Sequence, residues 1–390
     1  MKTLSLRRKE DRRIRRGHPW IFSNEVETGL AGLAPGELVE VRDHQGRRLG
    51  VGYVNPRSLI LVRMLTRHDE EFTPALIMER VRAAKSLRER LYPGRAAYRA
   101  VYSESDLLPG LIVDKYGPWL AVQVLTAGME ALMPVVMEAL TEIYSPEGVV
   151  MRNDSGLREL EGLPLEKRVA LGDYAGPVDV EIDGLRFAVD LMGGQKTGFF
   201  LDQVDNYRLL DFISDGAECL DVFCHTGAWA LGMAKRGARS VVAVDSSAQA
   251  LTTAGDNARS NGLDGLVEFR EEEAFDYLRR LGQTGRTFDL VAIDPPAFVK
   301  SRARIAEGLK GYRDLNVKAM RAVKPGGFLI SSSCSRHVER ESFLEVLRAA
   351  ASGADRAVRL LELRAQSKDH PSLIAAPETE YLKCALMQVL

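Results

Sequence analysis

Two short motifs carry the groups in this chain best suited to chemistry: Asp294-Pro295-Pro296-Ala297-Phe298 and Ser333-Cys334-Ser335, each at the end of an apolar run. They offer a carboxyl group and a thiol. The runs before them, Phe288 to Ile293 and Phe328 to Ser332, are short, apolar and β-rich, which is the pattern of buried parallel strands. Ligands of open α/β sheets bind just beyond the carboxyl ends of such strands, so both groups are expected in one crevice. Proline fixes φ, removes backbone donors and restricts the residue before it, which holds Asp294 at the strand tip. There a carboxylate can grip a planar nitrogen base while Phe298 stacks on it.

Cys334 points to a narrower chemistry. Carbon 5 of a pyrimidine is a poor nucleophile until a thiolate adds to carbon 6 and turns the ring into an enamine. A carboxyl group at nitrogen 3 supports that intermediate. The enamine then attacks an activated methyl group, a base removes the carbon 5 proton, and elimination frees the thiol. Free cysteine is also among the most buried residue types. Against burial stands the polar run Ser331-Ser332-Ser333 just before it. His337 lies near enough in sequence to assist thiolate formation, although a histidine in such a loop more often caps or faces solvent.

A cofactor site is expected on the first strand of the same sheet. Leu220-Asp221-Val222-Phe223-Cys224-His225-Thr226-Gly227-Ala228-Trp229 reads as strand, tight turn and helix start, and Asp245 ends the next strand. This is a nucleoside-binding βαβ layout without the G-x-G-x-x-G pyrophosphate fingerprint, since only Gly227 allows close backbone approach. S-adenosylmethionine fits such a site: Asp245 suits the ribose hydroxyls and Asp221 the charged amino acid end. Asn257 and Glu273-Ala274-Phe275 extend the constellation. Taken singly, Asp221 could be a helix cap, Gly227 a helix start and Cys224 a packed turn residue.

The elements that must position these groups form an alternating series from about Asp205. Strands at Cys219 to Phe223, Ser240 to Val244, Val267 to Arg270, Phe288 to Ile293 and 328 to 333 alternate with helices at 227 to 236, 247 to 261, 273 to 281 and one ending near Ala322. A helix at 339 to 351 and runs at Val358 to Leu363 and Leu382 to Val389 close the series, which predicts a doubly wound parallel sheet. Residues 1 to 72 show short β runs between Gly- and Asn-containing turns, the signature of a small β-barrel. Between them, residues 73 to 185 read as an α+β linking domain with helices from Pro74 to Leu91 and near 128 to 144.

At 390 residues the chain is too long for one core, and 45% hydrophobic with 27% charged residues describes an ordinary globular protein. No apolar run of transmembrane length and no signal-peptide pattern is present, so no membrane role is expected. The four cysteines lack metal-ligand or disulfide spacing, so no metal site and a reducing, cytoplasmic location are expected. Net charge is only -1, yet Arg7, Arg8, Lys9, Arg12, Arg13, Arg15 and Arg16 crowd the start of the chain. Such a cluster can neutralise phosphates, or it can be a solvated helix face.

Several segments together resemble a known family. Arg16-Gly17-His18-Pro19-Trp20-Ile21-Phe22 with the barrel pattern resembles a PUA RNA-binding domain. The stretches Leu108-Pro109-Gly110-Leu111-Ile112-Val113-Asp114-Lys115-Tyr116-Gly117 and Gln195-Lys196-Thr197-Gly198-Phe199-Phe200-Leu201-Asp202-Gln203 resemble the PUA-containing bacterial 23S rRNA cytosine carbon-5 methyltransferases, the rRNA large subunit methyltransferase I family. So do the two opening motifs, Asp369-His370-Pro371 and Glu380-Tyr381-Leu382-Lys383.

The resemblance implies an α/β fold: a PUA barrel over 1–72, an α+β linking domain over 73–185, and a Rossmann-like class I methyltransferase domain over 186–390. It implies S-adenosylmethionine contacts from Lys196, Thr197, Phe199, Gln203, Asp221, Phe223, Gly227, Asp245, Glu273 and Ala274. Asp294 would stand beside the cofactor and on the target base, with Cys334 as nucleophile. Arg12, Arg13, Arg15, Arg16 and Phe298 would meet RNA. The implied partner is 23S rRNA, naked or in a precursor particle, and a homodimer stays open. Glu273 stands where Asp is commoner, and no Pro-Cys dipeptide follows the fourth strand. Two other readings share these residues: a purine-nitrogen methyltransferase using Asp294 without a thiol, and a ribosome assembly factor that retains the cofactor pocket without turnover.

Overall fold

Alternation of inward and outward side chains begins at once: β1 (Lys2–Leu6) buries Leu4 and Leu6 and exposes Lys2 and Thr3. The basic stretch after it forms a short helix, α1 (Asp11–Arg15), with Ile14 turned inward. β2 (Trp20–Phe22), β3 (Val26–Thr28), β4 (Leu38–Arg42), β5 (Arg48–Val54) and β6 (Ile60–Met64) follow. The six strands form one sheet in the order β2-β6-β5-β4-β1-β3, over a core that includes Leu4, Ile21, Val39, Val41 and Val62. Three of them, β1, β2 and β3, lie outside the runs expected from sequence, because they are short and their neighbours are charged or polar. Gly50 is fixed by close approach: a Cβ there would lie 2.3 Å from the Thr66 carbonyl oxygen.

The structure, a computed structural model, describes residues 1–29 and 31–390 as two units. The first comprises Met1–Val180, Val189–Leu201 and Lys368–Thr379; the second comprises Glu181–Ala188, Asp202–Ser367 and Glu380–Leu390. After the N-terminal sheet the first unit continues with α2 (Pro74–Leu91), β7 (Ala97–Tyr102), β8 (Leu111–Tyr116), β9 (Trp119–Val124), α3 (Ala127–Ala131) and α4 (Met133–Tyr144). β10 (Gly148–Asn153), α5 (Leu157–Leu160) and β11 (Glu166–Leu171) complete it as a five-stranded sheet, β11-β10-β9-β8-β7. The helix expected over 128 to 144 is two helices, broken at Leu132. Pro134 explains the break: it cannot donate to a continuing helix and suits a first turn.

A hairpin, β12 (Val178–Ile182) and β13 (Leu185–Val189), turns on Asp183 and Gly184, whose φ values of 52° and 68° suit a type I′ turn.

The second unit then alternates strand and helix: β14 (Glu218–Val222), α6 (Ala228–Lys235), β15 (Ser240–Asp245), α7 (Ala248–Ser260), β16 (Val267–Glu271), α8 (Ala274–Thr284) and β17 (Phe288–Ile293). α9 (Ile305–Arg321), β18 (Val323–Ser333), α10 (Arg340–Ala354), β19 (Val358–Arg364) and β20 (Lys383–Val389) close it. The sheet order is β16-β15-β14-β17-β18-β20-β19. The run from β16 to β18 is parallel as expected, but β20 inserts antiparallel between β18 and β19, so the sheet is mixed at that edge. Apolar positions of β14, β15, β17 and β18 pack against Tyr277, Leu281, Tyr312, Leu315 and Phe343 of the covering helices. Among the described residues no helix is long and apolar enough to cross a membrane.

Candidate active site

The cofactor end is built where β14 gives way to α6. Phe223, His225 and Gly227 have φ values of 68°, 48° and 88°, so the chain turns through left-handed positions at alternate residues. Such a conformation costs about 1 kcal/mol or more at each non-glycine residue and persists only where surrounding bonds hold it. They do so here. The Phe223 and Cys224 N–H groups donate to the Val244 carbonyl at 2.9 and 3.0 Å, and the His225 N–H donates to Asp245 Oδ2 at 2.9 Å. Buried Asn257 donates to the Thr226 carbonyl at 3.1 Å and accepts the Ala188 N–H at 3.0 Å. Gly227 meets both a positive φ and Ala254, whose Cβ would lie 3.3 Å from an added Cβ.

Asp221 sits fully buried beneath this turn. Its Oδ2 accepts the Ala230 N–H at 2.9 Å, while Oδ1 is buried with no hydrogen-bond partner among the described residues. Burial, with Asp294 and Asp245 nearby, holds its carboxyl well above the usual carboxylate range. An orphaned acid at a nucleoside turn fits a cationic amino group, which would satisfy Oδ1 and stabilise the carboxylate. Asp245 is braced through Oδ1 by the Ser247 N–H at 2.9 Å. Glu273 caps α8 through its carbonyl, its side chain exposed, and Ala274 is buried. Of the remaining residues expected around the cofactor, Lys196, Thr197 and Phe199 belong to the first unit. Within it, Lys196 lies over the Phe200 ring at 4.6 Å, Thr197 donates to buried Asp114, and the Phe199 N–H donates to the Tyr116 hydroxyl at 3.1 Å.

The reaction end is set by register. β17 and β18 pair Ile293 with Ser331, so Asp294 emerges beside Ser332 and the two motifs leave the sheet together. Asp294 Oδ2 accepts from Gln203 Nε2 at 3.0 Å and from the Trp229 indole at 3.3 Å. Gln203 also donates to Ser332 Oγ at 3.1 Å, and Asn206 donates to its carbonyl oxygen at 2.7 Å. Cys334 is partly exposed, its sulfur 3.9 Å from the Pro295 carbonyl oxygen. The other cysteines are buried: burial pushes Cys219 and Cys384 up to about 12 and raises Cys224 well above the usual thiol range. Among the four, Cys334 alone reaches solvent.

A second set of bonds ties the motifs to each other. Ser335 Oγ accepts the Val299 N–H at 3.1 Å and pairs with the Tyr312 hydroxyl at 2.9 Å. Lys383 donates to the Ser335 carbonyl at 2.8 Å. Phe298 stacks obliquely on Tyr312, ring centroids 4.6 Å apart, and keeps part of its surface exposed. His337 is exposed after Cys334. Gln203 was expected against the cofactor and is found on Asp294. Trp229, Ser332, Ser335 and Lys383 carried no expected role, because their partners are distant in sequence.

In the N-terminal sheet region the arginines divide. Arg13 donates to Glu25 at 2.8 Å and lies over the Phe22 ring, and Arg15 pairs with Asp11 and Asp43. Arg7, Arg8, Lys9, Arg12 and Arg16 are exposed.

Comparison with known proteins agrees with this architecture. Residues 4–67 match a PUA-like domain, and residues 151–370 match an S-adenosylmethionine-dependent methyltransferase domain. Two curated relatives named ribosomal RNA large subunit methyltransferase I are similar end to end. That of Shewanella denitrificans is 38% identical, covering 99% of each chain, and that of Photobacterium profundum is 37% identical, covering 96% of each. This chain belongs to the ribosomal RNA large subunit methyltransferase I family. Its cofactor is S-adenosylmethionine. Two solved structures share the fold over the full length of both chains: a SAM-dependent methyltransferase from Streptococcus mutans, at 19% identity and TM-score 0.86, and the methyltransferase SMU.776 complexed with SAH, at 18% identity and TM-score 0.87. Within the methyltransferase domain, the β14 turn brings Asp221 and Asp245 together, and the tips of β17 and β18 carry Asp294 and Cys334.

Proposed function

We propose that this protein methylates carbon 5 of a cytosine in 23S ribosomal RNA, naked or within a precursor particle, through a covalent Cys334 adduct at carbon 6. The observation that carries this reading is the pairing of a partly exposed thiol with a carboxyl group at the tips of adjacent parallel strands. S-adenosylmethionine, when bound, supplies the methyl group. Asp221, Asp245 and the turn from Phe223 to Gly227 would hold it.

Cys334, as thiolate, adds to carbon 6 of the cytosine while the protonated Asp294 carboxyl gives its proton to nitrogen 3, so that an enamine forms with its electron density on carbon 5; nitrogen 3 returns that proton to Asp294 when the carbon–sulfur bond breaks. Carbon 5 takes the methyl group, its proton leaves to a base, and the carbon–sulfur bond breaks to return the thiolate. Donation by Gln203 and Trp229 fixes the Asp294 carboxyl before the base arrives, which is where preorganisation contributes most. Exposed cations of residues 1–72 dock the RNA backbone. The test is methyl transfer from labelled S-adenosylmethionine to unmodified 23S rRNA by wild type and Cys334→Ala. Loss of about a thousandfold or more is expected, as for removal of a covalent nucleophile. Retained transfer would assign the chemistry to a ring nitrogen.

A further inference from the structure

The strand β20 begins with a lysine whose placement is unusual for its charge. Lys383 is only 4% exposed, and a buried ammonium is costly unless its donors are satisfied. Its Nζ donates to the carbonyls of Ser335 and Tyr381, each at 2.8 Å. On the β18 to β20 ladder Lys383 stands opposite Ser333, and its Nζ reaches the carbonyl of Ser335, so its backbone and its ammonium bracket the position of Cys334. Carbonyl oxygens satisfy its donors but bring no counter-charge. Among its neighbours exposed Glu380 and the Cys334 thiol are the groups whose negative charge favours the ammonium, while burial opposes it.

We propose that Lys383 is a positioning residue of the methyl-transfer site: its buried ammonium pins the segment that carries Cys334 and favours the Cys334 thiolate. The proposal rests on the reading of Cys334 as nucleophile. The thiol proton leaves to solvent, and Lys383 stays charged throughout and transfers no proton. A fixed cation beside a thiol stabilises the thiolate because the interaction is weakly screened away from water. Burial pushes Lys383 itself down to about 8, so the charge is present at neutral pH and fades above that value. The other titratable or charged groups on neighbouring elements are Asp294 after β17, Tyr312 on α9, Arg336 and His337 after β18, and Tyr381 before β20. Burial raises Tyr312, so it stays neutral in this range, and Arg336 and His337 are exposed.

The test is the pH profile of iodoacetamide alkylation at Cys334, read by peptide mass spectrometry on the full-length protein, in wild type, Lys383→Gln and Lys383→Arg. Glutamine can keep a hydrogen bond to the Ser335 carbonyl without the charge, so a purely structural lysine would leave the profile in place. The expected result is an inflection about one pH unit higher in Lys383→Gln, which is about tenfold slower alkylation near neutrality, and a wild-type-like profile in Lys383→Arg. A profile unchanged in Lys383→Gln would overturn the proposal. If neither variant folds, wild type decides: a Cys334 rate that is still climbing steeply above pH 9 means that no cation favours its thiolate. Methylation retained in Cys334→Ala would overturn the nucleophile reading itself, whatever the alkylation shows.

Discussion

Gln203 donates to Asp294 Oδ2 at 3.0 Å and, through the same nitrogen, to Ser332 Oγ at 3.1 Å. One buried amide thus joins the tips of β17 and β18, and Asn206 holds that amide by its carbonyl oxygen. The carboxyl orientation therefore does not depend on substrate. Gln203→Leu should remove it: leaving a buried polar group without its partner costs about 1–3 kcal/mol, so kcat should fall about tenfold. Cofactor affinity, read by calorimetry, should change less than kcat. A fall in affinity with kcat intact would make Gln203 a cofactor contact instead.

The buried Asp221 carboxyl makes stability depend on pH. Its folded value is raised above its unfolded one, so the folded protein holds a proton that the unfolded chain has released, and stability falls as pH rises through the range between them. Asp221→Asn should therefore raise the melting temperature of cofactor-free protein at pH 8 relative to wild type, with the gain vanishing near pH 4. The same variant should bind S-adenosylmethionine about tenfold more weakly, having lost a buried charge partner for the amino group. Unchanged affinity would contradict the assignment.

Asp43 behaves in the opposite sense. Burial alone would raise it, but Arg47, the N–H groups of Arg47 and Gln45, and Arg15 bring it down to about 2. The stability it contributes is complete above its unfolded value and is lost as pH falls through its folded one. Asp43→Asn should destabilise by about 1–2 kcal/mol at pH 7, the loss of two charge-assisted bonds. Denaturation between pH 5 and pH 2 checks this: the difference between variant and wild type should shrink as the pH falls.

The basic N-terminus should act through some of its cations only. Replacing Arg12 and Arg16 with alanine should flatten the salt dependence of rRNA binding, with a change in slope of about 0.7–0.9 per residue. Arg13→Ala should instead lower stability by about 1 kcal/mol, through Glu25 and Phe22, with less effect on the slope. Equal slopes in all variants would make the cluster a solvated face.

The positions of the candidate site residues were legible because strand ends announce themselves. Asp294, Cys334, Asp221 and Asp245 all stand where an apolar run meets a turn, and the sheet rule brings such positions to one edge. What joins them was not legible. Gln203 and Asn206 lie on a 3₁₀-helical segment, Leu201–Phe212, whose apolar residues follow no α-helical or strand period that would declare a face. Trp229 reads as an apolar helix residue, and only its indole N–H reveals a polar task. Lys383 looks like a surface lysine until β20 inserts beside β18. That insertion was invisible too, because a buried apolar strand reads the same in either direction. β1 to β3 escaped for a simpler reason: three to five residues are too few to establish alternation among charges.

The proposed chemistry turns on a covalent bond between Cys334 and carbon 6 of cytosine. Its most direct test uses 23S rRNA transcribed with 5-fluorocytidine, in which the carbon 5 fluorine cannot leave as the proton does, so the adduct persists after methyl transfer. With S-adenosylmethionine present, wild type should give a denaturation-resistant protein–RNA species whose cross-linked peptide contains Cys334, and Cys334→Ala should give none. Wild-type protein that methylates ordinary 23S rRNA yet forms no adduct on the fluorinated RNA, or an adduct that survives in Cys334→Ala, would contradict it.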